Sequence, residues 1–397
     1  MVTRTVEAVY EYQLARAVAE TDAAALRTAG GLVLTGNAHI TTVNENHPAD
    51  IYVERGNLEC GGSGRIEGSV YVADGAARLT GSCPIFGDLV VRGDIVIDQG
   101  SEIWGDVVST EGSVVINGGV RISGNAFTSH DFIRTNGRVQ GTAYVGRNAS
   151  FSGAAPAIAT HLYYGGTVTY AYGSASNWVL GGTPQRQDTS GIPRPLLPEE
   201  PPFLAVTVQN IVDNGFAEVA WEGACAMGGN VELNPFFSEV IPSFRSRTLV
   251  QALTCDPWQT RGGIELRLRT DVVVVAKRFN LSNVRISSAD GEPHKIWFVV
   301  PAEANCAVDG VPEIDVQGTV KFPDGKITAL AYTECEVVFG TSGNDPWPGS
   351  VYARTFTGYA AIRYVPIGLP VAAGEDANRL NPDEGALGSL VSQRNLR

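Results

Sequence analysis

Short apolar strings recur along the chain between residues 68 and 153, separated by glycine-centred polar breaks. Strings such as Val70-Tyr71-Val72, Ile95-Val96-Ile97, Val114-Val115-Ile116 and Val120-Arg121-Ile122 span only three residues each. The breaks return as one tripeptide: Gly68-Ser69-Val70, Gly87-Asp88-Leu89, Gly105-Asp106-Val107, Gly124-Asn125-Ala126 and Gly141-Thr142-Ala143. The steps between them are 19, 18, 19 and 17 residues, and a second series at Gly75, Gly93 and Gly112 runs out of phase. Strands this short cannot bury themselves alone. Stacked coil on coil, equivalent positions form ladders about 4.8 Å apart around a continuous apolar interior. A coil of roughly 18 residues divides into three sides of about six, which predicts a three-faced β-helix. Glycine suits the corners, where φ is free to be positive, and Asp, Asn and Ser suit the same turns. A β-sandwich of many hairpins is the competing arrangement, and the near-constant step argues against it.

Other segments carry other periods. Over residues 3–29, Val6, Val9, Leu14, Ala17, Val18, Ala25 and Leu26 recur mostly at helical spacing, and Gly30-Gly31 follows, which predicts one helix. Its alanine density suits close packing against another surface; a cap on the open end of the solenoid is the other role for it. Residues 32–40 read as the first coil, 41–50 as a loop leaving it, and 156–182 as degenerate last coils. Six prolines between 184 and 202 predict an extended linker. Beyond it, longer strands are expected at 204–208, 217–221, 263–269, 271–276, 295–300, 314–322, 327–332, 336–339, 349–353 and 360–365. Trp221, Trp297 and Trp347 are candidate core aromatics there. This second unit is all-β, either a wider solenoid laid on the first or a sandwich. The polar tail from 373 is expected to be loose or to lie across a surface.

Composition and charge narrow the function. The 397 residues are 44% hydrophobic with 46 glycines, as suits a turn-rich β protein. A net charge of −13 argues against a nucleic-acid partner, because phosphate binding needs basic patches. The six cysteines, Cys60, Cys83, Cys225, Cys255, Cys306 and Cys335, form no Cys-x-x-Cys pair. They fall into three local pairs by proximity, although six cysteines allow fifteen connectivities. Disulfides would place the protein outside the reducing cytosol. The first residues do not read as a signal peptide and no run of 18 apolar residues occurs, so an export segment is expected to lie outside this sequence.

The chain offers little catalytic chemistry. It has no His-Glu-x-x-His, nucleophile elbow, Walker loop or zinc pair, and neither a cofactor nor a metal is expected. His130 beside Asp131 is the one local acid–base candidate, weighed against an ordinary turn. Asp88 and Asp106, 18 residues apart, should stack in one ladder, either as a cation site or as solvated corners.

The Gly-Asp-Val coils resemble those of bactofilin-like, polymer-forming β-helices. The order of segments is similar to that of PilX-type pilus-associated proteins of Gram-positive bacteria: Ala15-Arg16-Ala17-Val18-Ala19-Glu20, the coils, then Trp297-Phe298-Val299-Val300-Pro301 with Cys306, Tyr332-Thr333-Glu334-Cys335, Gly349-Ser350-Val351-Tyr352-Ala353 and Tyr364-Val365-Pro366 with Pro370. These segments span most of residues 10–370. The membrane-spanning half of a pilin helix is not in the sequence. The resemblance implies a pilin-like helix over 1–30, a β-helix over 31–183, a linker over 184–202, a β domain with two disulfides over 203–372 and a tail over 373–397. It implies a non-enzymatic minor, tip-type pilin or pilus-associated adhesin on a cell-surface filament. Its partners would be other pilin subunits, docked through Val6, Val9, Leu14 and Val18, and a surface or glycan ligand. Membrane contact would come only through the missing N-terminal segment. A bactofilin-like self-polymerising scaffold and a carbohydrate-active β-helix enzyme are the alternatives.

Overall fold

Stacked parallel strands run through both halves of the chain. The computed structural model describes residues 5–10, 24–44, 46–189, 194–198, 205–227, 243–306, 311–340, 345–359, 361–371 and 390–396. The repeat region coils around three faces. Face one carries Ile51–Val53, Val70–Val72, Leu89–Val91, Val107–Ser109, Ala126–Thr128 and Ala143–Val145, each paired in register with the next. Face two carries Leu58–Gly62, Ala77–Gly81, Ile95–Ile97, Val114–Ile116, Phe132–Arg134 and Ala149–Phe151. Face three is narrower. Its two-residue strands Glu102–Ile103, Arg121–Ile122 and Arg138–Val139 are continued by bridges at Ile85 and Ile158.

The second half of the chain builds the same three faces. Thr248–Ala252, Val272–Ala276, His294–Val300, Ile327–Thr333 and Trp347–Ala353 climb face one. Trp258–Thr260, Phe279–Leu281, Ile314–Val316, Glu336–Phe339 and Thr355–Gly358 climb face two. The last coil of this half stacks directly under the first coil of the other. Leu26 pairs with Val351, Leu32 with Phe356 and Ile40 with Ile362, all parallel. The unit left open between solenoid and sandwich is therefore a solenoid, and face two becomes one sheet of 14 strands. Thirteen intervals of about 4.8 Å give a rod of roughly 62 Å.

One apolar core runs through the whole stack. In the repeat region it consists of columns of Ile, Val and Leu; in the other half the wider coils are filled by Trp258, Phe279, Phe298, Trp347, Phe339 and Phe356, in edge and tilted contacts. Trp221, Trp297 and Trp347 are buried, as expected of core aromatics. Face one is apolar on its outer side too. There the helix Val208–Asp213 and residues 367–371 cover Leu249, Val273, Val275, Val299 and Leu330. Further along, Leu197 of the proline-rich segment lies on Val90, Val108 and Phe127. Leu197, within the described residues 194–198, thus packs on the outer side of face one.

Three expectations change. The described parts of residues 3–29 are strands, not helix: Thr5–Tyr10 pairs antiparallel with Leu390–Leu396, and Leu26–Thr28 belongs to the first coil. Leu26 is completed by Ile51 above and Val351 below, a tertiary gain that outweighs alanine-rich helix propensity there. Val6 and Val9 accordingly lie in a strand, while Leu14 and Val18 lie outside the described residues. Within the tail expected to be loose or to lie across a surface, Leu390–Leu396 form a strand, and the rest of it lies outside the described residues. Where a strand was expected at 204–208, the described residues 205–207 are not strand and Val208–Asp213 form a helix, which Thr207 caps by accepting the Asn210 N–H at 3.1 Å.

The glycines of the tripeptide repeat answer to contact rather than to φ. Gly87, Gly105, Gly124 and Gly141 each donate an N–H to the glycine one coil below. A Cβ at Gly105 would lie 2.6 Å from the Gly87 carbonyl oxygen and collide with the Asp88 carboxylate. Gly105→Ala should cost about 2 kcal/mol or more by overpacking, seen as a lowered urea midpoint at unchanged m-value. Gly119, with nothing within 4 Å of its Cβ position, should accept alanine far more easily.

Candidate functional site: side-chain ladders and braces along the rod

The residue that follows each corner glycine faces its equivalent one coil away, and that fixes its chemistry. Along the corner before face one, a side chain caps the backbone N–H of the next coil. Asp50 Oδ1 accepts from Ser69 N at 2.7 Å, Ser69 Oγ from Asp88 N at 3.0 Å, Asp88 Oδ1 from Asp106 N at 2.7 Å and Asp106 Oδ1 from Asn125 N at 2.6 Å. Asn125 Oδ1 then accepts from Thr142 N at 2.9 Å. A second ladder precedes face two: Asp94 caps Ser113, Asp131 caps Asn148, and Asn148 caps Thr167. Only short side chains with an acceptor oxygen reach across one rung, which explains the Asp/Asn/Ser/Thr restriction.

The ladder has a charge cost. Burial, with Asp88 nearby, pushes the Asp50 carboxyl up to about 6 against the bond from Ser69. Burial also raises Asp106, opposed by its bonds to Asn125. The expected stacking of Asp88 and Asp106 is found, and each carboxylate is used on a backbone N–H of its neighbour. His130 and Asp131 form no acid–base pair in the hydrogen-bond network. The His130 N–H donates to the Gly112 carbonyl, and the Asp131 carboxylate accepts from Asn148.

The cysteines pair locally: Cys60–Cys83, Cys225–Cys255 and Cys306–Cys335, with separations of 23, 30 and 29 residues. Each bridge ties one coil to the next, and no free cysteine is left among the described residues. The bridges suggest an oxidising environment. Cys306 and Cys335 lie near the Glu313 carboxylate in a metal-like cluster, but both sulfurs are already bonded to each other. Among the described residues no helix is long and apolar enough to cross a membrane.

Sequence reading missed the outer column of face one. Tyr52 and Tyr71 are tilted at 6.5 Å, and Phe127, Tyr144 and Tyr163 form a continuous stack at 4.8 and 5.4 Å. The signal was present, since these aromatics sit at the coil period, each in the middle position of its strand. Leu197, from another part of the chain, joins the cluster that holds Tyr71, Phe127 and Tyr144. The resident Arg27, buried between the coils of Tyr352 and Tyr52, marks the junction of the two halves. Near the far end, Arg134 points into the core and donates to the Gly137 carbonyl from Nε at 2.8 Å and to the Ser152 carbonyl from Nη1 at 2.9 Å, beneath the Trp178 ring. Burial lowers its affinity for the proton.

No family model, curated protein or solved structure matches the chain.

Proposed function

We propose that this protein is a non-enzymatic structural rod of the cell exterior, used as a bulky minor or tip-type component of a pilus-like surface filament that presents its side faces to partners. The observation that carries this reading is the set of three disulfides, each bracing adjacent coils of one uninterrupted solenoid. Such bridges persist where the surroundings are oxidising, and each adds about 3 kcal/mol by the chain-entropy model. A rod of roughly 62 Å built from parallel rungs suits spacing and display. On the coils, Asp50, Asp88 and Asp131 are committed to capping backbone N–H groups of the next coil. The filament assignment rests on the resemblance in segment order. Docking would run through surfaces other than a helical Val6–Val9 stripe, because those residues lie in a strand.

The test is immunogold electron microscopy on the sheared surface fraction of the native cell. Gold on filaments, sparse or at tips, is the expected result. Label confined to the cytoplasm would remove the exterior location and the filament role together. Concentration-dependent fibres of the purified chain would favour a self-polymerising scaffold instead.

A further inference from the structure

Trp104 is half exposed, at 52%, in a molecule whose other tryptophans at 178, 221, 258, 297 and 347 are all buried. It stands on the outer side of face three. One face of its indole stacks on Phe86, with centroids 5.1 Å apart and planes 16° from parallel. The far face of Phe86 is covered in turn by the Arg65 guanidinium at 4.4 Å, and Arg65 is held by Glu67 at 2.6 Å. This three-layer stack ends at Trp104. Ile103, Ile122 and Val139 are register partners, so the outward positions that follow them are Trp104, Ser123 and Gln140. Above the indole the column therefore steps down to a serine for one rung and rises again at Gln140.

That step leaves a slot over the indole, where Ser123 stands on the one rung between Trp104 and Gln140, which lie two rung spacings, about 9.6 Å, apart centre to centre. Its side wall is Arg121, fixed from both directions. Arg121 Nη1 lies 3.4 Å from Glu102, and its Nε and Nη2 donate to the Gln140 side-chain oxygen at 2.8 and 2.7 Å in the amide orientation that satisfies both groups. The slot thus joins an apolar ring face to a rim of hydroxyl, amide and carboxylate groups and two guanidinium groups, because Arg138 is the exposed register partner of Arg121 one rung on.

From this, the geometry points to a binding site for a neutral hexose unit of a glycan. A pyranose stacks its C–H face on an indole and offers hydroxyls that both donate and accept. The rim supplies both roles. A polyanion is disfavoured by the overall charge of −13. A proline-rich peptide is less well served, because an extended strand needs a groove several residues long, whereas this slot is one unit high. The inference deepens the display role proposed above and names the ligand class for it.

The experiment is isothermal titration of the purified full chain with cellohexaose, mannohexaose and chitohexaose. Tyr172→Ala serves as the control for an exposed aromatic elsewhere, at 52% exposure. Binding of at least one hexasaccharide is expected, weakened tenfold or more in Trp104→Ala, partly retained in Trp104→Phe and unchanged in Tyr172→Ala. Retained thermal unfolding would show that Trp104→Ala still folds. No binding of any of the three sugars by the wild type would overturn the assignment. So would equal binding by Trp104→Ala, or binding only of a polyproline peptide in place of the sugars. Because the assay uses isolated protein, such a failure leaves the filament proposal standing, and cytoplasmic gold label would leave a positive titration standing.

Discussion

Cutting the chain between residues 188 and 204 will leave its two parts bound to each other. With a protease site inserted in that segment, the cleaved protein should elute under native conditions as one species of 42.1 kDa and separate only in denaturant. The reason is the junction. Leu26, Leu32 and Ile40 of one half cover Val351, Phe356 and Ile362 of the other, and all six are fully buried. Six such side chains at roughly 2 kcal/mol each, with three ladders of backbone hydrogen bonds added, are comparable to or larger than the ~4–15 kcal/mol of rigid-body freedom that binding removes. The antiparallel pair Thr5–Tyr10 with Leu390–Leu396 also joins the two parts. No disulfide crosses the cut, since the bridges at 60–83, 225–255 and 306–335 each lie within one half. Co-elution would therefore report non-covalent stacking. Two separately eluting, folded fragments would mean that the linker joins independent domains.

Asp50→Asn should stabilise the protein at pH 8 and leave it unchanged at pH 4. The Asp50 carboxyl is raised to about 6 by burial, so it holds its proton more tightly in the folded chain than in the unfolded one. Its contribution is fully favourable below about pH 4 and is lost as pH rises from about 4 to about 6. A shift of about two units amounts to up to about 3 kcal/mol of lost stability above that window. Asparagine keeps the oxygen that accepts the Ser69 N–H at 2.7 Å and removes the charge. Asn125 already plays this role further along the same ladder. Urea midpoints at pH 4, 6 and 8 for the wild type and the variant would measure the effect. The difference between the two proteins is the informative quantity, because Asp290, held well below the usual carboxylate range chiefly by its hydrogen bond from His294, acts in the opposite direction. Equal midpoints at pH 8 would mean that the ladder solvates the Asp50 carboxylate well enough to carry its charge.

How much of this was legible depends on the range of each interaction. The coil period was visible because parallel stacking needs the same residue type at the same place on each rung, as at Gly87-Asp88 and Gly105-Asp106. The pairing of the cysteines followed proximity because each bridge spans adjacent coils. The second solenoid was ambiguous, because its successive face-one strands are 20 to 33 residues apart, as Val274 to Phe298, Phe298 to Ala331 and Ala331 to Val351 show, with loops between. The run Val272–Ala276 was legible as a strand, and the structure shows it buried throughout, as a strand covered on both sides is.

By itself the sequence determined the solenoid, its corner chemistry and its local disulfides, since all of these follow from residues within about one coil of each other. Only the tertiary structure decided that the second half lies beneath the first, that Leu197 packs on the outer side of face one, and that residues 26–28 form a strand. Those outcomes depend on contacts between positions up to some 325 residues apart, such as Leu26 with Val351. Such contacts leave no period in the sequence, because each is made once, and its free energy comes from closing an open end of the core.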